Sequence, residues 1–143
     1  MHGEPVDIDA FLRRDGLLAR VATAGPSVRP LWYVWEDGAF WWLTDTANVL
    51  AGAVTRGEEL SLVVDVCDVN TGEVVHVFAR GKAEMGPVDV DRAMRKFARY
   101  LGPDEASWDP RFVRSLTVST TRMIRFAPTK MYAADVSFDA SPR

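Results

Sequence analysis

A chain of 143 residues with 48% hydrophobic and 26% charged residues has the balance of a single globular domain over residues 1–143, large enough to bury a core without staples. A net charge of −3 argues against a general nucleic-acid binder, and one cysteine, Cys67, with two histidines, one of them His2, excludes a disulfide framework and a zinc site. The first nine residues carry acids and a proline rather than a signal sequence, and no apolar run approaches the ~18 residues of a membrane helix, so the expectation is a cytoplasmic protein that meets no membrane.

In chain order, flexible ends are expected at about 1–6 and 137–143. Asp7 caps a short helix whose Ile8, Phe11 and Leu12 share one face, ending near Gly16. Leu17 to Thr23 reads as an apolar strand, and Ala24-Gly25-Pro26-Ser27 as the turn after it. Val28–Trp35 and Ala39–Thr44, joined by Glu36-Asp37-Gly38, read as a β-hairpin that holds Trp32, Trp35, Trp41 and Trp42, four of the five tryptophans. Its aromatic residues fall on both faces. One face is expected against a barrel core, and the other against a partner subunit, a flat ligand or both.

After Thr44, either Asp45 or Thr46 can cap a helix over Ala47–Arg56, stopped by Gly57, whose free N–H groups favour an anion. Leu60–Val66 is a buried strand, Asn70-Thr71-Gly72 a turn, and Glu73–Glu84 a long strand in which Gly81 marks a bulge or a close backbone approach. Asp89 caps the most regular helix. Val90, Ala93, Met94, Phe97, Ala98 and Leu101 form its apolar face, while Arg92, Arg95, Lys96 and Arg99 read as a solvated basic face. Gly102-Pro103 ends it, Trp108 and Phe112 anchor the turn-rich stretch beyond, and Thr117–Ala127 and Pro128–Val136 close the chain as strands. The fold class is mainly β with flanking helices: six to seven antiparallel strands, the first three in a meander, forming a closed or partly closed barrel.

The sequence holds no plausible Ser-His-Asp set, metal cluster, Gly-rich phosphate loop or HExxH motif. Chemistry with so few reactive side chains points to a bound redox cofactor, for which the protein supplies shape, hydrogen bonds and charge.

The succession ARVAT-x-G (Ala19–Gly25), Arg29-Pro30, Trp42-Leu43-Thr44, a helix, LSLVVD (Leu60–Asp65), a V-x-G-x-A-like segment (Ala79–Ala83), and TK-x-Y (Thr129–Tyr132) resembles the pyridoxamine 5'-phosphate oxidase-like family over about Ile8 to Val136. The resemblance implies an FMN-binding split β-barrel and a homodimer with two interface sites. It places Arg29 near the cofactor phosphate, backbone of Pro30, Leu31 and Trp32 along the ring, and Trp42 to Thr44 at the end of the third strand, with Thr44 bonding phosphate or ribityl oxygens. Asp45, Thr46 and Asn48 flank the helix start. There the family carries a basic pair, and this chain has Ala47 and Asn48; Arg56 or a cation of the other subunit would have to compensate. His76 matches a position that reaches the ring from the second subunit. The implied activity is FMN-dependent hydride transfer to or from a small planar substrate, with no strictly catalytic side chain. Deazaflavin on the same fold is the alternative, and a ligand-binding or scaffold dimer without cofactor is a second one. Each residue also has a plainer role: core packing for the tryptophans, a solvated cation for Arg29, capping for Asp45 and Thr46, an interface for His76, and a structural thiol for Cys67.

Overall fold

Residues 5–140, which the computed structural model describes, form nine strands and four α-helices. They are α1 (Ile8–Leu12), β1 (Ala19–Thr23), β2 (Ser27–Leu31), β3 (Val34–Glu36), β4 (Ala39–Asp45), α2 (Val49–Thr55), β5 (Glu59–Asp68), β6 (Glu73–Lys82), β7 (Glu84–Gly86), α3 (Val90–Leu101), α4 (Arg111–Arg114), β8 (Thr121–Phe126) and β9 (Lys130–Asp135). A five-stranded antiparallel sheet runs β2-β1-β5-β6-β9 and a four-stranded one β3-β4-β8-β7. Their inner faces share one core. Phe40, Trp42, Ile124 and Phe126 meet Val21, Leu62, Val64 and Val77, with Leu12 of α1 and Leu50 of α2 at its ends. His2 lies outside the described residues.

The strand count exceeds expectation because two of the long strands divide, and in each case the second piece joins the other sheet. Val28–Trp35 breaks at Trp32 and Tyr33, so β2 pairs with β1 while β3 pairs with β4, and the expected three-strand meander does not form. Tyr100 makes the break. Its hydroxyl accepts from the Tyr33 N–H (3.0 Å) and donates to the Leu17 carbonyl (2.6 Å), replacing the ladder partner that Tyr33 gives up as its own ring turns fully into the core. Glu73–Glu84 divides likewise, at Ala83, into β6 and β7. Gly81 sits where the backbone of the β8–β9 connection crosses: an added Cβ would lie 3.0 Å from the Thr129 nitrogen, itself bonded to the Arg80 carbonyl.

The hairpin survives as β3–β4, turning through Asp37 and Gly38, both at positive φ. Its outer face is covered by the same chain. Helix α3 lies against it, so the expected solvated basic face is overturned. The Arg92 side chain is only 12% exposed, its guanidinium 3.7 Å from the Trp41 ring centroid, and its Nε and Nη2 donate to Glu36 and Asp37. Arg95 donates to both oxygens of Glu36, and Lys96 is buried. The physical reason is the target. Trp41 offers a π face, and the acids of the turn sit where cations spaced along the helix reach them.

The C-terminal segment is also tied. Ser137 accepts from the Val74 N–H, and Phe138 donates to the Gly72 carbonyl at 2.8 Å; residues 1–4 and 141–143, within the ends expected to be flexible, lie outside the described range. Gly72 is required there, because a Cβ would fall 1.8 Å from the Phe138 oxygen.

Candidate functional site

The residues read from the sequence as a site fall on three parts of one chain. Arg29 and Pro30 lie on β2, the edge strand of the five-stranded sheet. Arg29 stands opposite Val21 on the core side of that sheet, yet it is exposed at the open edge and makes no hydrogen bond or ion pair among the described residues. Leu31 packs partly against the core, and Trp32 follows it into the crossover. The Trp32 ring is stacked on Tyr100 (4.6 Å, 7°) and on Phe112 (5.4 Å, 20°), so aromatic neighbours occupy it.

The second part is the corner between β4 and α2. Along β4 the side chains of Phe40, Trp42 and Thr44 point inward, and Trp42 retains only 1% exposure. Burying such a ring contributes roughly 4–6 kcal/mol at ~25 cal/mol per Å², which is reason enough for its position. Its Nε1 is buried with no hydrogen-bond partner among the described residues. Thr44 is buried too. Asp45 accepts from the Ala47 N–H (2.9 Å) and from the Thr120 hydroxyl (2.6 Å), and these bonds, the Thr120 one foremost, hold its carboxyl below the usual range. Thr46 donates its N–H to the Thr120 carbonyl. Asn48, rather than Asp45 or Thr46, caps α2, which begins at Val49: its Oδ1 accepts from Ala51 at 3.0 Å. The expected helix therefore starts two residues later, since Asp45 is already spent on the turn.

This corner does contain a cation, one that the spacing of the sequence did not reveal. Arg122 of β8 stands directly across from Thr44 on the same face of the sheet, and its Nη1 donates to the Ser119 and Thr121 carbonyls. A cavity of about 460 Å³ opens beside it, lined by Met85, Pro87, Leu116 and Val118 among others. Arg56, the compensating cation considered from sequence, is held by Glu58 at 2.7 Å. Only the β4–β8 register brings Arg122 to Thr44, and nothing local in TRMIRF signals it.

The third part is the outward face of the five-stranded sheet. Here His76 stands in register with Asp65 and Ala134, its ring edge-on to Phe78 at 5.8 Å. The adjacent row is Val63, Phe78 and Tyr132, with the last two rings stacked at 5.0 Å and Tyr132 62% exposed. Arg20 pairs with Asp65 across this face, and the helices pack on β3, β4 and β7 instead. Cys67 is a free, exposed thiol. No helix among the described residues is long and apolar enough to cross a membrane.

No protein-family model matches the chain, and no curated protein matches it. Solved structures share its fold. A conserved hypothetical protein, Rv2991 of Mycobacterium tuberculosis, superposes with a TM-score of 0.75 at 18% identity, over 94% of this chain and 89% of that one. An FAD binding protein of Mycobacterium smegmatis gives 0.59 at 19% identity, over 90% and 93%. An F420 reductase gives 0.62 at 19% identity, over 90% and 98%. The split-barrel architecture implied by the sequence resemblance is thus the fold of this chain, in the form of two sheets rather than a closed barrel.

Proposed function

We propose that this chain is a flavin-dependent oxidoreductase that works as a homodimer, with FMN held between two copies and hydride passing to or from a small planar substrate. The carrying observation is the outward face of the five-stranded sheet: Tyr132 is exposed and Val63 and Phe78 are half-buried beside it, in a chain whose other sheet is covered by its own helix. A second copy on that face hides the apolar row. It also gives the scattered site residues a way to meet, since Arg29, the Thr44–Asn48 corner and His76 belong to three separate surfaces of one chain.

The donor set suits an anionic, hydrogen-bonding cofactor. Arg29 carries an unspent guanidinium, Thr46 keeps a hydroxyl beside the α2 start, Arg122 supplies positive charge across from Thr44, and His76 offers an imidazole that donates or accepts. When bound, the flavin supplies the hydride chemistry; these residues bind and orient it, and the dimer excludes water.

Deazaflavin on the same surface is the second reading, and the structural likeness to an F420 reductase is in keeping with it; Ala47 and the capping Asn48, where a basic pair would grip a phosphate, favour instead a dimer without cofactor. Equilibrium titration of the full chain with FMN and with a deazaflavin coenzyme, followed by quenching of tryptophan emission, separates the readings. Binding of one of them at micromolar levels, one per chain, supports an oxidoreductase with that cofactor. Binding of neither leaves a ligand-binding or scaffold dimer.

A further inference from the structure

Between α3, β3 and the end of α1 lies a cavity of about 370 Å³ lined by Arg13, Asp15, Trp35, Glu36, Arg95 and Arg99, away from every residue assigned above to the flavin. Its charges do not balance. Both oxygens of Glu36 are already engaged, Oε1 by Arg92 and Arg95 and Oε2 by Arg95. Arg99 also lines the cavity and makes no ion pair among the described residues; its guanidinium lies 4.6 Å from the Tyr33 ring centroid, with Nε and Nη2 closed off against the protein. Arg13 makes no ion pair among them either, so Asp15 is the single acid lining the cavity that is not already committed to an arginine.

Two arginines without an acid partner among the described residues, Arg13 and Arg99, face one uncommitted acid, so the cavity carries net positive charge that a bound oxyanion would offset. A guanidinium held over an aromatic ring is also restrained, and its planar fork matches a carboxylate or phosphate edge. We propose that this cavity binds the carboxylate or phosphate group of a small anionic molecule, held by Arg99 and Arg13 with Trp35 as one wall. Asp15 and Glu36, facing the same space, set its selectivity: they repel a second negative group brought close to the first, so the site takes one oxyanion at a time.

Trp35 reports on the cavity, and its Nε1 is fixed to Asp9 at 2.7 Å, so its emission responds to an anion placed beside it. The full chain is titrated with inorganic phosphate and, separately, with acetate, against sodium chloride at matched ionic strength. The proposal expects a saturable change in tryptophan emission with at least one oxyanion and none with chloride; phosphate alone identifies a phosphate-bearing ligand, and acetate alone a carboxylate. Arg99→Lys, which keeps the charge and loses the fork, weakens binding about tenfold, the worth of one charge-assisted hydrogen bond. Arg13→Gln, at an exposed position that does not threaten folding, does the same. No saturable response to either oxyanion, or an unchanged midpoint in Arg13→Gln, overturns the proposal.

Discussion

Arg92 lies over the indole of Trp41, with its guanidinium carbon 3.7 Å from the ring centroid and its Nη2 2.6 Å from Asp37. One side chain therefore closes the outer face of the aromatic hairpin and ties α3 to its turn. Arg92→Ala removes a largely buried cation–π contact and leaves Glu36 and Asp37 short of donors, so a loss of about 2–4 kcal/mol is expected in denaturant unfolding. Arg92→Lys restores the charge without the planar stack and is expected to recover less than half of that loss.

Glu36 gives the clamp a pH signature. Hydrogen bonds from Arg95, and then Arg92, pull its pKa from 4.5 down to about 2. A depressed carboxylate stabilises fully above its unfolded value and loses that contribution as pH falls from about 4.5 to about 2. Solvent screening at this partly open site reduces the effect to about 1–2 kcal/mol. Glu36→Gln should be less stable at pH 7 by about that amount, and its stability should fall less steeply than the wild type between pH 4.5 and 2, as followed by urea midpoints.

Lys96 costs stability at neutral pH where Glu36 adds to it, though both make stability rise with pH within their own ranges. It is 6% exposed, and burial alone lowers its ammonium from 10.5 to about 8. The unfolded chain then binds a proton that the folded one has released, so stability rises with pH between about 8 and 10, by up to ~3 kcal/mol. Above that range Tyr33, whose phenol is pushed up by burial, opposes the gain. Lys96→Met should be more stable than wild type at pH 7 and show a flatter profile from pH 8 to 10; parallel profiles would refute the assignment.

Arg29 is exposed on an edge strand with no partner among the described residues. Arg29→Ala should therefore change unfolding by less than about 0.5 kcal/mol while weakening cofactor binding about tenfold or more. Comparable losses of both would make it a structural residue.

The chain's local chemistry was legible before its long-range geometry. Asp7, Asp89 and the Asp37-Gly38 turn act in the structure as their sequence context implies, because caps and tight turns are settled within four residues. What was not legible depends on partners distant in the sequence. Tyr100 splits one expected strand from 67 residues away, and α3 meets Glu36 from 56 and 59 residues away. The basic face of α3 looks solvated until the aromatic surface beneath it is known. Arg122 is silent for the same reason, since only the β4–β8 register brings it to Thr44. Core packing, the plainer role read for the tryptophans, describes Trp42, and Trp32 stacks on Tyr100 and Phe112, so the exposed aromatic ring of the sheets is Tyr132, stacked on a half-buried Phe78.

In the proposed assembly two copies close over the outward sheet face that carries Tyr132 and hold a flavin-type ring between them. Sedimentation equilibrium of the full chain with FMN or deazaflavin, recorded at the cofactor's visible absorption, tests both halves at once. Colour is expected to sediment with a mass twice 15.9 kDa. A colourless particle of one chain's mass, with all the cofactor left free, would contradict it.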